Sequence, residues 1–301
     1  MANETPKWLE NALAQTPEED EITVEDCAVH RLMWGARDQP GLVLIHGGAG
    51  HAHWWSHVAP LFPQYRVVAL DLSGHGDSGR RDAYSVDLWT KEVLASAENL
   101  GMEGPPVVIG HSMGGFVATA TAVAAGTELA GTIILDSPIV AEDAEVEAAR
   151  LGHAFGAPKV YPDVETAVSR FRTIPPQDHY EPLVLRHVAE HSLKPVDGGY
   201  SWKFDPLLFR AVSRSKAAEL LPKVRGRVAL IRSEFGLVTE EVGAIMYDAL
   251  GRVAPVVEIP LAGHHMMLDQ PLSLVTALRS LLADWEHSVP FSRHHISRRA
   301  N

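Results

Sequence analysis

The stretch that decides the fold reads PVVIGHSMGG over residues 106–115 and continues into a helical pattern that ends near Ala125. It opens on a short apolar run, which is typical of a strand buried on both faces. Ser112 then stands between Gly110 and Gly114, and these glycines leave room for a strand and a helix to approach each other closely. A strand, a sharp turn and a helix in this order predict that Ser112 is an exposed nucleophile.

The position of Ser112 also suits the chemistry of a nucleophile. The amide of Met113 is expected to point into the same space as the serine hydroxyl, and the N-terminus of the following helix favours developing negative charge. The pattern Gly-x-Ser-x-Gly also occurs by chance, as a glycine-rich turn that happens to contain a serine. The strand before the turn and the helix after it favour the catalytic interpretation.

The rest of the chain alternates short apolar runs with helix-length segments. Runs rich in valine and isoleucine occupy residues 42–45, 66–70, 131–135, 227–231 and 256–259, and helical patterns occupy residues 86–100, 113–125, 239–250 and 270–286. This alternation predicts a doubly wound, mostly parallel α/β sheet, in which functional residues gather beyond the carboxyl ends of the strands.

We expect four parts in the chain. The α/β core is predicted over residues 22–137 and 216–286, and between them, at residues 138–215, helical patterns and prolines replace buried strands. Such an insertion is predicted to be a helical cap over the strand ends, and a separate folded domain is the alternative. Residues 1–21 are predicted to form a loosely held N-terminal arm, and residues 287–301 a C-terminal tail.

A glycine-rich loop follows the first apolar run and reads HGGAG over residues 46–50. In acyl transfer through a serine, one backbone amide of such a loop and the amide after the nucleophile are aimed at the oxyanion of the tetrahedral intermediate. We predict Gly48 and Met113 as these donors, with Ala49 as the alternative to Gly48. The loop matches neither of the common phosphate-binding glycine patterns.

A serine hydroxyl needs a base within hydrogen-bond reach. Of the 16 histidines, His264 follows the last predicted strand and precedes a helix, and the adjacent His265 is its competitor.

The carboxylate behind the base has two candidates: Glu234 follows the run at residues 227–231, and Asp136 ends the preceding run. A carboxylate from either strand can orient the same imidazole, and we favour Asp136 over Glu234.

Composition narrows the classes of function. The 301-residue chain carries a formal charge of −12, which disfavours binding to nucleic acid or to anionic membrane. One cysteine, no long apolar segment and no secretory signal pattern lead us to expect a cytoplasmic protein.

The expected partner is a small-molecule substrate, and a homodimer is left open. His51 and His53 lack a third and a fourth ligand, so we predict no metal site and no cofactor.

Together these motifs resemble the α/β-hydrolase superfamily over about residues 22–286. They are HGG at 46–48, DLSGHGDS at 71–78, GHSMGG at 110–115 and Gly263-His264 with Asp-Gln-Pro at 269–271. The resemblance implies an eight-stranded sheet, a helical cap between the sixth and seventh core strands, and a structural role for the second motif. Dehalogenases and epoxide hydrolases of this superfamily use an aspartate nucleophile, so Ser112 points instead to enzymes like the carboxylesterases.

The sequence departs from the family where the acid is expected. Members commonly carry the catalytic aspartate in a Gly-x-x-Asp turn, and here Ser233 stands in place of the glycine and Gly236 in place of the aspartate. Certain haloalkane dehalogenases and cofactor-free dioxygenases take their acid from the preceding strand, which supports Asp136.

The resemblance predicts a serine hydrolase that cleaves a carboxylic ester or lactone of a small, largely apolar substrate through an acyl-enzyme. The pocket is expected to take aromatic side chains from the cap, with Phe155, Phe171, Tyr180, Trp202 and Phe209 as candidates. C–C bond hydrolysis, perhydrolysis and cofactor-free oxygenation are alternatives on the same scaffold. A non-enzymatic small-molecule receptor is the alternative from another class.

Overall fold

The computed structural model describes residues 5–98, 100–152 and 159–288. The strands in this part of the chain are β1 (Glu18–Val24), β2 (Cys27–Trp34), β3 (Gln39–Ile45), β4 (Arg66–Leu70), β5 (Met102–His111), β6 (Gly131–Leu135), β7 (Leu193–Val196), β8 (Gly199–Trp202), β9 (Val228–Phe235) and β10 (Val256–Gly263). The α-helices are α1 (Lys7–Leu13), α2 (Val86–Ala97), α3 (Met113–Ala125), α4 (Ala144–Gly152), α5 (Val164–Ser169), α6 (Pro182–His191), α7 (Arg214–Ala218), α8 (Glu240–Ala249), α9 (Met266–Asp269) and α10 (Pro271–His287).

The central sheet has eight strands in the order β1-β2-β4-β3-β5-β6-β9-β10. β2 runs antiparallel to both of its neighbours, and every neighbouring pair from β4 to β10 is parallel. The predicted fold class, a mostly parallel eight-stranded α/β sheet, is therefore confirmed. The parallel strands end at one edge of the sheet, where β3, β5, β6 and β10 deliver the loops that form the site.

Both faces of the sheet are buried. On β3, Leu42 and Leu44 pack into one hydrophobic cluster, together with residues of α1 and α10. Val43 and Ile45 point the other way, into a cluster with residues of α2, α3 and α8. This two-sided burial explains why the central strands are continuous apolar runs instead of alternating ones. No helix within the three described ranges is both long and apolar enough to cross a bilayer.

The chain leaves the sheet after β6 and returns to it at β9. The helical patterns predicted in this segment fall on α4, α5 and α6. The segment also contains the antiparallel hairpin of β7 and β8, which the sequence analysis missed. Each of its strands has only four residues and is largely half-buried, so it lacks the long apolar run that marks the core strands.

The structure corrects the prediction of a loosely held arm over residues 1–21. Leu9 of α1 is fully buried in the core, and β1 pairs with β2 along its whole length. The prediction failed because β1 opens on four acidic residues, which look like a solvated segment in the sequence. On this edge strand the acidic side chains can form ion pairs with the neighbouring strand. The Asp20 carboxylate binds the Arg31 guanidinium of β2 at 2.6 and 2.8 Å. Of the predicted tail, residues 289–301 lie outside the described residues.

Truncation of Leu9 tests whether the N-terminal helix is part of the core. The change Leu9→Ala should lower the free energy of unfolding by about 2–4 kcal/mol, because it leaves a cavity in a packed cluster. Asn11→Ala, on the exposed side of the same helix, should change it by less than about 0.5 kcal/mol. Urea unfolding of the two variants measures both effects. Equal stability of the variants would mean that α1 is not packed on the core.

Candidate active site

The turn between β5 and α3 holds Ser112 in a strained conformation, with φ 52° and ψ −117°. Non-glycine residues adopt such a backbone only where the surroundings enforce it. Here the neighbouring glycines allow the close approach: a Cβ on Gly110 would lie 2.1 Å from the Gly114 carbonyl oxygen, and a Cβ on Gly114 would lie 2.5 Å from that of His46. The sharp turn lifts the Ser112 side chain out of the strand and places it at the wall of a cavity.

Three residues that are far apart in the sequence form one hydrogen-bonded chain. His264, directly after β10, has its Nε2 atom 2.9 Å from Ser112 Oγ and its Nδ1 atom 2.6 Å from Asp136 Oδ2. The carboxylate can only accept, so Nδ1–H donates to Asp136 and Nε2 is left to accept the proton of the serine hydroxyl. The arrangement fixes the tautomer that a general base needs.

Asp136 lies directly after β6 and is fully buried. Besides the bond to His264, its carboxylate accepts the backbone N–H groups of Leu237 at 2.8 Å, Val238 at 3.2 Å and Ser233 at 3.3 Å. Burial on its own raises the pKa of Asp136, but the hydrogen bond and charge of His264 and these amides outweigh it and lower that pKa. The carboxylate is therefore ionised at neutral pH.

Gly236 makes room for this carboxylate. A Cβ built on Gly236 would lie 2.4 Å from both oxygens of Asp136, so the position where the family carries its aspartate points at the same space. The competing candidate, Glu234, is exposed and accepts the Leu261 N–H at 2.7 Å. The structure thus brings Asp136 to His264, whereas Glu234 binds the backbone of β10.

Two side chains that the sequence analysis missed hold the His264 loop. His111 donates its Nε2–H to the carbonyl of His264 at 2.9 Å, and burial together with the charge of His264 lowers the pKa of His111 to about 3. Asp269 accepts the N–H of Gly263 at 2.6 Å, and burial raises the pKa of Asp269 to about 6. Both residues lie inside motifs that resemble the family, GHSMGG for His111 and Asp-Gln-Pro for Asp269, and these motifs could have indicated them.

His265, the competitor of His264, contacts the inserted segment. Its backbone N–H donates to Gln177 Oε1 at 2.9 Å, and its ring lies edge-on to Trp54 with centroids 5.3 Å apart. It therefore contributes to the cavity wall, while His264 alone of the two is bonded to Ser112.

The glycine-rich loop lies against the serine. Gly48 and Ala49 line the cavity together with Met113, and a Cβ on Gly47 would lie 3.2 Å from the Cβ of Ser112. His46 Nδ1–H donates to the Gly47 carbonyl at 2.7 Å, and its Nε2 accepts the N–H of Leu72 at 3.1 Å. The predicted donors Gly48 and Met113 thus line the same cavity as Ser112, and their role stays a prediction.

A buried carboxylate at the end of β4 holds the same loop from the other side. Asp71 accepts the N–H groups of Ala52 at 2.6 Å and Asp77 at 2.8 Å and binds His30 Nδ1 at 2.8 Å. Burial alone would lower the pKa of His30, but the hydrogen bond and charge of Asp71 raise it to about 9. The motif at residues 71–78 therefore forms a structural ion pair beside the site.

A cavity of about 750 Å³ lies between the strand ends and the inserted segment. Its wall is mostly apolar, carries four cationic side chains and, among the described residues, no acidic one. The residues of the inserted segment that line it are Ala149, Arg170, Phe171, Arg172, Thr173, Ile174, Pro175, Ser192, Trp202, Lys203, Phe204, Leu208, Val212 and Arg214. Of the aromatic residues expected there, Phe171 and Trp202 line the cavity, and Tyr180 hydrogen-bonds to Thr173 at 2.6 Å. Phe155 and the side chain of Phe209 lie outside the described part of the structure.

Histidine and carboxylate groups come together at three places within the described residues. At each place, one possible ligand atom from each of three residues lies within 4.8 Å of the other two. The first group of residues is His53, His187 and His191, the second is His111, His264 and His265, and the third is His30, Asp71 and Asp77. The second group contains His264 of the hydrogen-bonded chain, and the third contains the ion pair of His30 and Asp71. Of the two histidines for which the sequence predicted no metal site, His51 binds Ser192 Oγ through Nε2 at 2.8 Å, whereas His53 belongs to the first group.

Comparison with known proteins adds a family. The sequence profile described as the alpha/beta hydrolase family matches residues 42–278. The chain is 26% identical to a lipase of Mycobacterium tuberculosis, over 84% of this chain and 97% of the lipase. It is also 26% identical to an esterase of that organism, over 86% of this chain and 88% of the esterase. Among solved structures, a thioesterase domain from the curacin biosynthetic pathway superimposes with a TM-score of 0.74 at 26% identity, over 88% of this chain and 99% of that domain.

Labelling of Ser112 with a fluorophosphonate probe tests the hydrogen-bonded chain without knowledge of the substrate. Asp136→Asn should slow labelling by about 10³–10⁴-fold, because the asparagine amide would favour the wrong imidazole tautomer. Glu234→Gln, which changes the other carboxyl candidate, should leave the rate within about threefold. A slow Glu234→Gln variant and a fast Asp136→Asn variant would reverse the assignment.

Proposed function

The chain belongs to the alpha/beta hydrolase family and is a carboxylic ester hydrolase, and from this premise we propose that it cleaves its substrate through an acyl-enzyme formed on Ser112. The observation that carries the proposal is the hydrogen-bonded chain from Ser112 through His264 to the buried carboxylate of Asp136. The lipase, esterase and thioesterase relatives use the same fold, which supports ester cleavage as the reaction.

In the first half of the reaction, Ser112 Oγ attacks the carbonyl carbon of the ester while His264 Nε2 takes the hydroxyl proton. The imidazolium that forms is stabilised by the Asp136 carboxylate at 2.6 Å. The carbonyl oxygen becomes an oxyanion, and the amides of Gly48 and Met113 are the donors that we assign to it. The intermediate collapses when the C–O bond to the alcohol breaks and His264 returns the proton to the leaving oxygen.

In the second half, a water molecule takes the place of the alcohol. His264 removes a proton from the water, whose oxygen attacks the acyl carbon, and a second tetrahedral oxyanion forms at the same position. Cleavage of the bond to Ser112 Oγ releases the carboxylic acid, and the proton on His264 returns to the serine. Asp136 stays ionised throughout, since its role is to orient and stabilise the imidazole.

The cavity supports a small, largely apolar ester or lactone as substrate. Its volume of about 750 Å³ falls within the range of sites for small organic ligands. Trp54, Phe116, Phe171 and Trp202 give it aromatic wall surface. An acyl chain of moderate length can therefore bury its apolar surface while its carbonyl lies at the serine.

A series of p-nitrophenyl esters of increasing acyl length tests the reaction. Wild type should hydrolyse short and medium chains, and Ser112→Ala should lower kcat by at least about 10⁴-fold, because the acyl-enzyme cannot form. Activity that persists in Ser112→Ala would contradict the acyl-enzyme. It would favour direct attack by a water molecule, with the His264–Asp136 pair as the general base.

An exchange of residues 136 and 236 tests whether both positions reach the same histidine. Asp136→Gly should lower kcat on the best ester by about 10⁴-fold. The combination of Asp136→Gly with Gly236→Asp should recover at least about tenfold of that loss, since residue 236 points at the space of the Asp136 carboxylate. Gly236→Asp alone should reduce activity by crowding two carboxylates. An exchanged variant that melts like wild type but is no faster than Asp136→Gly would contradict the shared position.

A further inference from the structure

We propose that His53, His187 and His191 form a binding site for a divalent transition-metal ion such as Zn²⁺, which would link the inserted segment to the core. The ligand nitrogens of the three residues all lie within 4.8 Å of one another. His187 and His191 are one turn apart on α6, so both point from the same helix face. His53 comes from the short 3₁₀ helix Ala52–Trp55, just beyond the glycine-rich loop.

The three imidazoles are held in a way that leaves nitrogens for a metal. His191 donates its Nδ1–H to the carbonyl of His187 at 2.8 Å, which fixes Nε2 as the atom with a lone pair. His53 Nδ1 is paired with Ser56 Oγ at 3.0 Å, so its Nε2 is also left over. Hydrogen bonds of this kind at the second ring nitrogen orient the histidine ligands of metal sites.

His187 provides an independent sign of a missing partner. Its Nε2 atom is buried, and within the described residues it has no hydrogen-bond partner. Buried polar atoms are almost always paired, so an unpaired ring nitrogen on a residue grouped within 4.8 Å of two further histidines calls for a ligand. The ring centroids of His187 and His191 are 4.2 Å apart, and those of His53 and His191 are 3.9 Å apart. Packing alone would favour apolar side chains in such a trio, because they carry no polar atoms to satisfy.

Three imidazoles form a ligand set for Zn²⁺, Cu²⁺, Ni²⁺ or Co²⁺ and not for the oxygen-seeking Mg²⁺ or Ca²⁺. Two nitrogens bound to tetrahedral Zn²⁺ at about 2.1 Å lie about 3.4 Å apart, so the rings need only small rotations to close on an ion. All three residues are half-buried, which leaves the fourth coordination position to water or to a small anion.

The ion would lie on the boundary between the inserted segment and the glycine-rich loop. His53 stands between His51 and Trp54 in sequence, near two residues of the cavity wall, and His191 precedes Ser192, which also lines the cavity. A metal ion bound by α6 and the 3₁₀ helix would therefore tie the inserted segment to the core beside His51 and Ser192, two residues of the cavity wall that are hydrogen-bonded to each other. This consequence does not depend on the reaction that Ser112 performs.

Metal titration of tag-free protein, after removal of metals with a chelator, tests the site. In competition with a chromophoric chelator, wild type should bind one equivalent of Zn²⁺ more tightly than any other. His187→Gln and His53→Gln should each weaken this binding by at least about tenfold, since even outer-shell partners of metal ligands are worth about 10- to 100-fold. The matched control is His294→Gln with His295→Gln, a histidine pair near the end of the chain, and it should bind Zn²⁺ like wild type.

Two further measurements separate this site from the catalytic histidines. Zn²⁺ should raise the Tm of wild type and of His264→Gln, but not that of His187→Gln, because an ion that binds the folded state stabilises it. Tight binding that His264→Gln abolishes and His187→Gln does not would place the ion at the catalytic histidine and overturn the proposal. Equal Zn²⁺ affinity of wild type and His187→Gln would overturn it as well.

Discussion

The buried charge of Asp136 is the constraint on which the site depends. An ionised carboxylate without exposure to water is costly unless every oxygen is satisfied. Here His264 and the amides of Ser233, Leu237 and Val238 satisfy it, and the missing side chain of Gly236 allows the turn to wrap closely around it. The demand for these partners brings the ends of β6, β9 and β10 together. The same carboxylate then fixes the ring of His264 that faces Ser112.

A second buried carboxylate organises the other half of the site. Asp71 ends β4 as Asp136 ends β6, and it draws the amides of Ala52 and Asp77 and the ring of His30 around itself. Since Ala52 follows the glycine-rich loop, this ion pair fixes the path of the loop past Ser112. Ser112, directly after β5, therefore stands between two loops, each anchored on a buried anion. Preorganisation of this kind matters because oxyanion stabilisation depends on donors that do not move during the reaction.

Whether the sequence predicted a feature of the fold or the site depends on how far apart in the chain the interacting residues lie. The central strands and the turn at Ser112 were predictable, because two-sided burial and a glycine-flanked turn leave local patterns. The acidic strand β1 was missed, since its partners Arg31 and Arg66 lie on other strands and leave no periodicity. The sequence favoured Asp136 over Glu234 but left both open, because both stand at the ends of core strands. The group around His53 was missed because its other members come from a helix of the inserted segment more than a hundred residues away.

The boundary between core and inserted segment combines apolar packing with polar contacts around the cavity. Val184 and Val188 of α6 are fully buried in one core cluster, and Leu208 and Val212 are buried in the other. Tyr84 donates its hydroxyl to Asp205 at 3.0 Å, His265 donates its amide to Gln177 at 2.9 Å, and His51 pairs with Ser192 at 2.8 Å. Contacts of this type each contribute only about 1 kcal/mol, whereas burial of one large aliphatic side chain contributes about 1.5–3 kcal/mol. The apolar side chains therefore hold the inserted segment on the core, and the polar contacts set its register around the cavity. The wall that faces Ser112 is thus fixed by the same packing that buries the sheet.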